Sequence, residues 1–271
     1  MADILIVGAD QGIGYFLAES LLESGNRVAV LDIRTDHIAE LEPKYGNSLL
    51  VIKADAADTH SVQEGVMKAF DCFGSIDIAI HNACLCTFES EPDTDLEVYR
   101  QVMDVNFYGA LRLAKAVLPH MREGGKGRLI FTSSAVGVTG FKNISPYASS
   151  KGAVESLAKC LDIENSQYGI SVHLFHPPLT NTESASSLMI PKEFKADPRK
   201  VGKGFAKHIW SRKFIICPSF STTLSLRFSY RHPLSFGRML TKMTDRAEQE
   251  LDKESATCAV KKEKGNHQQI L

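Results

Sequence analysis

Seven short apolar runs recur along this chain: DILIV (3–7), RVAVLD (27–32), LLVIK (49–53), IDIAI (76–80), RLIFT (128–132), ISVHLF (170–175) and FIIC (214–217). Continuous Ile, Val and Leu over so short a length is the pattern of strands buried on both faces. Between them lie segments of helical period. Ile13, Leu17 and Leu21 share one face before Gly25 stops the helix, and residues 58–72 carry another. Residues 94–122 read as one long helix with Leu111, Ala114 and Leu118 in its buried stripe. Residues 147–167 repeat the spacing with Val154, Leu157, Ala158 and Leu161. Such alternation needs crossover connections, so the expected fold class is α/β, a doubly wound parallel sheet of Rossmann type. With 271 residues, 44% of them hydrophobic, and no Pro/Gly/Ser linker, the chain reads as a single domain over 1–219. A basic, apolar C-terminal extension follows at 220–244. The tail, 245–271, is polar, mixed in charge and free of aromatics, and is expected to be disordered.

Ligands of such sheets bind beyond the carboxyl ends of the strands. Gly8, Gly12 and Gly14 (GADQGIG, 8–14) stand there, between the first strand and the first helix. Glycines let the backbone turn sharply and approach a pyrophosphate seated on the helix N-terminus. The spacing is GxxxGxG, not GxGxxG, and alone it is equally a tight turn. Asp32 adds weight, because it ends the second strand 24 residues after Gly8. A carboxylate there accepts hydrogen bonds from adenosine ribose hydroxyls and repels a 2′-phosphate. Arg34 is the nearest basic residue, and the turn itself has none. NAD is therefore expected over NADP.

Tyr147 and Lys151 (YASSK, 147–151) are four residues apart on one helix face. A free tyrosine ionises near pH ~10, and a neighbouring cation is expected to lower that value. Ser134 lies just beyond a strand, where its hydroxyl can polarise a carbonyl or hold an alcohol. Asn106 is an amide amid apolar neighbours. It is either a helix-packing group or the holder of a water that relays protons towards Lys151.

Seven segments keep a joint order: GADQGIG (8–14), DAAD (55–58), HNAC (81–84), VNFYG (105–109), SSAVG (133–137), YASSK (147–151) and HPPLTNT (176–182). Together they resemble the short-chain dehydrogenase/reductase family over residues 3–217. The resemblance implies catalytic roles for Asn106, Ser134, Tyr147 and Lys151. It implies cofactor contacts from Gly8, Gly12, Ile13, Gly14 and Asp32, and adenine contacts near Asp55 and Ala56. Asn82 would support the cofactor, Pro177 to Thr182 would meet the nicotinamide, and Tyr147 and Lys151 would lie at its ribose. A homodimer or homotetramer is expected. Three positions depart from the family pattern: Val7 for threonine, and Cys84 and Pro178 for glycines. Cys84 is expected near the adenosine, loosening the cofactor. Pro178 removes an N–H and stiffens its turn.

A net charge of −1 lacks the basic excess of nucleic-acid binders, so no nucleic-acid partner is expected. MADILIVGAD has no basic n-region, so a cleaved signal is not expected, and no run approaches the ~18 apolar residues of a spanning helix. Six scattered cysteines form no CxxC unit, which points to reduced thiols, a cytoplasmic protein and no metal site.

The expected reading is an NAD-dependent oxidoreductase of a secondary alcohol or ketone, bulky and apolar in the manner of a steroid or bile acid. Residues 183–194 (ESASSLMIPKEF) would be a flap over substrate, disordered without ligand. Residues 220–244 could dock on their own domain, wall the substrate pocket, meet a partner subunit or lie on a membrane. Docking on the domain is favoured. The HPPLTNT turn and this extension also resemble ketosphinganine reductases, so a lipid-carbonyl reductase held at a membrane surface is the alternative. A nucleotide-sensing protein without chemistry is more remote, because all four chemical groups are retained.

Overall fold

The apolar runs form one sheet of seven strands: β1 (Asp3–Val7), β2 (Arg27–Asp32), β3 (Leu49–Lys53), β4 (Ile78–His81), β5 (Gly127–Thr132), β6 (Ile170–Phe175) and β7 (Ile215–Ile216). Their order is β3-β2-β1-β4-β5-β6-β7, and every pairing is parallel. In this computed structural model residues 1–186, 188, 190, 195–247 and 249 are described. After β1 come α1 (Gly12–Glu23) and, beyond β2, the one-turn helices α2 (Asp36–Ala39) and α3 (Glu42–Tyr45). Then follow α4 (Thr59–Phe73), α5 (Leu96–Met103), α6 (Gly109–Glu123), α7 (Val136–Thr139) and α8 (Ser145–Asn165). The last are α9 (Pro198–His208) and α10 (Phe220–Arg231), and residues 233–247 form a further helix.

Period-two alternation sends successive strand residues to opposite layers. Leu5, Val7, Ala29 and Leu31 pack with Val62 and Val66 of α4, Leu113 and Val117 of α6, and Val154 and Ala158 of α8. Ile4, Ile6, Val28 and Val30 pack on the other side with Leu17 and Leu21 of α1 and Val201 and Phe205 of α9. The sheet is thus covered on both faces, as its apolar strands require. The chain winds outward from β1 in one direction and from β4 in the other. These neighbouring strands open a crevice at their carboxyl ends.

The expected long helix 94–122 is interrupted. A π turn (Asp104–Tyr108) separates α5 from α6. Its wider spacing carries Asn106 to a fully buried position facing the loop after β4. Apolar periodicity cannot register that extra residue, because the stripe resumes on its far side.

The extension docks on its own domain by one face. Tyr230 donates from its hydroxyl to Glu155 of α8 at 2.7 Å. Gly237 abuts the Thr139 and Gly140 carbonyls, where a Cβ would come within 2.9 and 2.6 Å. The second helix runs beyond 244, against the expected disorder of 245–271. Ala247 is buried, and Asp245 pairs with Lys142 at 2.8 Å, because the 139–142 turn offers both packing and charge. Apart from 249, the rest of that tail, and residues 187, 189 and 191–194 of the expected flap, lie outside the described residues. Among those described, no helix is long and apolar enough to cross a membrane.

Candidate active site

The turn after β1 is glycine-rich because the chain packs against itself there. Gly8 has φ +88°, and a Cβ on it would stand 2.4 Å from the Ala83 nitrogen. A Cβ on Gly14 would stand 2.2 Å from the Gly8 carbonyl oxygen. A Cβ on Gly12 would meet Thr182 Cγ2 at 3.0 Å, so the loop after β6 crosses directly over the turn. Ile13 packs onto the α1 side of the core. No side chain caps α1 at Gln11, which leaves its first N–H groups to a ligand or water.

Asp32 lies beside this turn and accepts hydrogen bonds from the Asp10 N–H at 2.8 Å and the Arg34 N–H at 3.2 Å. Asp10 is buried and accepts from the His37 and Ile38 N–H groups, closing α2. Burial alone would raise its carboxyl pKa; these donors and the His37 ring outweigh it and hold the group below the ordinary range. Glu183, one residue after Thr182, takes the Arg34 guanidinium at 2.9 Å and a bond from the Gln11 side chain. Asp55, beyond β3, accepts from the Ala57 N–H at 2.8 Å, while the Ala56 carbonyl accepts from Arg112. Pro177 follows β6.

A chain of hydrogen bonds links the turn to the lysine. Asn82 donates to the Gly8 carbonyl at 2.7 Å and accepts from the Thr132 hydroxyl at 3.0 Å. The Thr132 carbonyl accepts from Lys151 Nζ at 2.8 Å. Lys151 is fully buried, and burial lowers its pKa.

Tyr147 is partly exposed, and its hydroxyl stands next to Ser134 and Cys84. Here the outcome departs from the sequence expectation. Burial raises the phenol pKa well above its ordinary value, the Cys84 and Cys86 sulfurs push the same way, and the Ser134 hydroxyl only partly opposes them. Lys151 does not reverse this, because its ammonium is committed to Thr132 and sits 5.5 Å from the ring centroid. Burial also lifts the neighbouring Cys86 thiol to about 12.

The Asn106 amide is likewise committed. Its oxygen accepts from the Leu85 N–H at 2.8 Å, and its nitrogen donates to the Leu85 carbonyl and Ser150 hydroxyl at 2.9 Å. The side chain clamps the loop carrying Cys84 and Cys86 onto α8. Cys84 stands at the Tyr147 hydroxyl, not at the adenosine side as expected, because that loop turns towards α8 after Asn82. Sequence reasoning also missed Glu155, one turn beyond Lys151. It accepts from Ser133 at 3.2 Å and Tyr230 at 2.7 Å, and lies 3.4 Å from His176 Nε2. An acid inside the apolar stripe of α8 was its signal. Among the described residues no cluster suits a metal ion.

The family model for short chain dehydrogenase matches residues 2–192. Oxidoreductase UcpA of Salmonella typhimurium is 34% identical over 218 residues, covering 77% of this chain and 80% of that protein. The 2-(R)-hydroxypropyl-CoM dehydrogenase of Xanthobacter autotrophicus is 32% identical, covering 66% and 74%. A short-chain dehydrogenase structure from Streptomyces avermitilis superposes with a TM-score of 0.76 at 21% identity, over 92% of this chain and 99% of that one, and so shares the fold. With the parallel sheet and its glycine turn already in place, these matches make the chain a member of the short-chain dehydrogenase family, an oxidoreductase of alcohol and ketone substrates.

Proposed function

We propose that the chain is an NAD-dependent dehydrogenase or reductase of a bulky, apolar secondary alcohol or its ketone, with Tyr147 transferring the proton. The observation that carries this is the Tyr147 hydroxyl standing beside Ser134, at the same strand ends as the glycine turn and Asp32. The residues present fit a dinucleotide. The N-terminus of α1 is uncapped, the turn admits close backbone approach, and Asp32 offers a carboxylate to ribose hydroxyls. Gly8, Gly12, Ile13, Gly14, Asp32, Asp55, Ala56 and Asn82 would hold it on one side, and Pro177 to Thr182 on the other. When bound, the nicotinamide supplies or accepts the hydride.

The chain's own residues manage the proton. Ser134 orients the substrate oxygen beside the phenol. Tyr147 gives its proton to that oxygen in reduction and takes one from it in oxidation. Burial keeps the phenol protonated, which suits the reducing direction. Lys151, 5.5 Å from the ring centroid, is the cation beside the phenol. Asn106 acts by position, holding the Cys84 loop against α8. Residues 1–219 form the catalytic unit and 220–244 its extension, and assembly as a homodimer or homotetramer belongs to the same reading. The secondary alcohol named in the Xanthobacter relative is compatible with it. A lipid-borne ketone is the second reading, favoured by the apolar and basic outer face of 220–244.

NADH absorbance assays against steroids, bile acids, sugars, short alcohols and sphingoid ketones test the proposal. The expected result is turnover with an apolar secondary alcohol or ketone and NAD(H). Turnover confined to sugars, or none with any member, would overturn it.

A further inference from the structure

From Pro198 to Thr244 the chain carries ten Lys and Arg residues and no Asp or Glu, in a protein whose net charge is −1. The remainder is therefore strongly acidic, and the positive charge is gathered on α9, α10 and the segments next to them. Within α10 the buried residues are Leu226 and Ser229, and in the helix over 233–247 they are Gly237, Thr244 and Ala247. Those positions follow helical spacing and face the domain.

The opposite faces look outward and are apolar. Phe220 is 81% exposed, Leu224 60%, Phe228 50% and Leu234 67%, with Met239 and Met243 exposed further along. Arg227, Arg231, Arg238 and Lys242 are exposed among them. None of the four is in an ion pair among the described residues. Phe228 touches both His232 and Phe236, at ring separations of 5.1 and 6.1 Å, so the outer faces of the two helices are continuous. Lys213 and Arg227 border an adjoining cavity of about 610 Å³ lined by Phe214, Ile216, Phe220 and Leu226.

We infer that this outer face is a docking surface for an anionic lipid bilayer. A helix pair that turns apolar side chains and basic ones outward together lies in a membrane interface, the apolar groups entering the headgroup boundary and the charges meeting anionic lipids. A second copy of the chain is the poorer occupant. Two such faces would bring Arg227, Arg231, Arg238 and Lys242 against their own copies, and no carboxylate between Pro198 and Thr244 offsets them. The inference holds whatever the substrate proves to be, because it requires neither cofactor nor turnover.

Sedimentation of the whole 271-residue chain with vesicles tests it, using phosphatidylcholine alone and phosphatidylcholine mixed with phosphatidylserine. Binding should require phosphatidylserine and fall as salt rises. The combined variant Arg227→Gln, Arg231→Gln, Arg238→Gln, Lys242→Gln should weaken it by roughly two to three orders of magnitude, about fivefold per charge. Leu224→Ser with Leu234→Ser should also weaken it. Both variants alter exposed side chains only, so melting temperature and activity on a water-soluble substrate should match the parent. No binding to phosphatidylserine vesicles, or binding that survives the charge variant, overturns the inference. So does a dimer in sedimentation velocity that Leu224→Ser with Leu234→Ser dissociates, since the face then belongs to a second copy.

Discussion

Arg34 and Glu183 form an ion pair at 2.9 Å that ties the loop after β2 to the loop after β6, across the glycine turn. The pairing bears on cofactor choice. Arg34 follows Asp32 by two residues beside the glycine turn, and Glu183 occupies its guanidinium. Wild-type protein should bind NAD(H) at least about tenfold more tightly than NADP(H). Asp32→Ala should narrow that gap by removing the carboxylate. Glu183→Gln should narrow it further by freeing Arg34 for a 2′-phosphate. Fluorescence titration of both cofactors reads all three, and an equal preference in the parent would sink the NAD assignment.

Tyr147→Phe removes the ionisable hydroxyl and little else. Turnover should drop to below about one-hundredth of the parent value, with NADH binding nearly unchanged. Lys151→Ala should impair both, because it removes the nearest cation and the bond to Thr132 that continues towards the glycine turn. Retention of substantial kcat by Tyr147→Phe would require another acid–base group.

Cys84 is a half-buried free thiol next to the Tyr147 hydroxyl. A maleimide attached there would block substrate from the phenol. Treatment with N-ethylmaleimide should inactivate the enzyme, and Cys84→Ala should remain active under the same treatment. Cys72 and Cys160 are exposed far from the crevice and should react without loss of activity. Equal inactivation of Cys84→Ala would show that another thiol matters.

Two buried histidines set an acid limit. Burial lowers the pKa of His81 and of His176 from the ordinary 6.5 to about 3 in the folded protein. Between these values the unfolded chain binds protons that the folded chain refuses, so stability falls as the pH drops from about 6.5 towards 3. Each group contributes a slope of up to about 1.4 kcal/mol per pH unit. Urea unfolding at a series of pH values should show the decline, and His176→Gln should make it shallower. A pH-independent midpoint from 7 down to about 4 would contradict the burial argument.

Glu155 is buried beside His176, and burial raises its pKa. The Tyr230 hydroxyl is its shortest hydrogen-bond donor, reaching in from the extension. Tyr230→Phe should cost roughly 1–3 kcal/mol, because it leaves a buried carboxyl short of a partner. Truncation after Ser219 should be worse, uncovering the surface beneath Leu226 and Ser229 and yielding aggregated protein. A soluble, fully stable truncation would show that the docking contributes little.

What the sequence determined by itself was whatever depends on period and order. Alternating apolar runs specified the parallel sheet and its two helical layers, since β1 and β2 must send Leu5 and Ile6, or Ala29 and Val30, to opposite faces. The ordered segments from Gly8 to Thr182 identified the family and the residues gathered at the strand ends. Tertiary structure decided what depends on which groups meet. The π turn at Asn106 inserts a residue without disturbing the apolar stripe, so no pattern marks it. The commitment of Lys151 to Thr132, the closeness of Cys84 to Tyr147, and the rise of the tyrosine pKa follow from burial and distance. Glu183 and Arg34 are separated by 149 residues, as Tyr230 and Glu155 are by 75. Contacts of that range arise only once the loops after β2 and β6, and the helices α8 and α10, are brought together by the folded sheet.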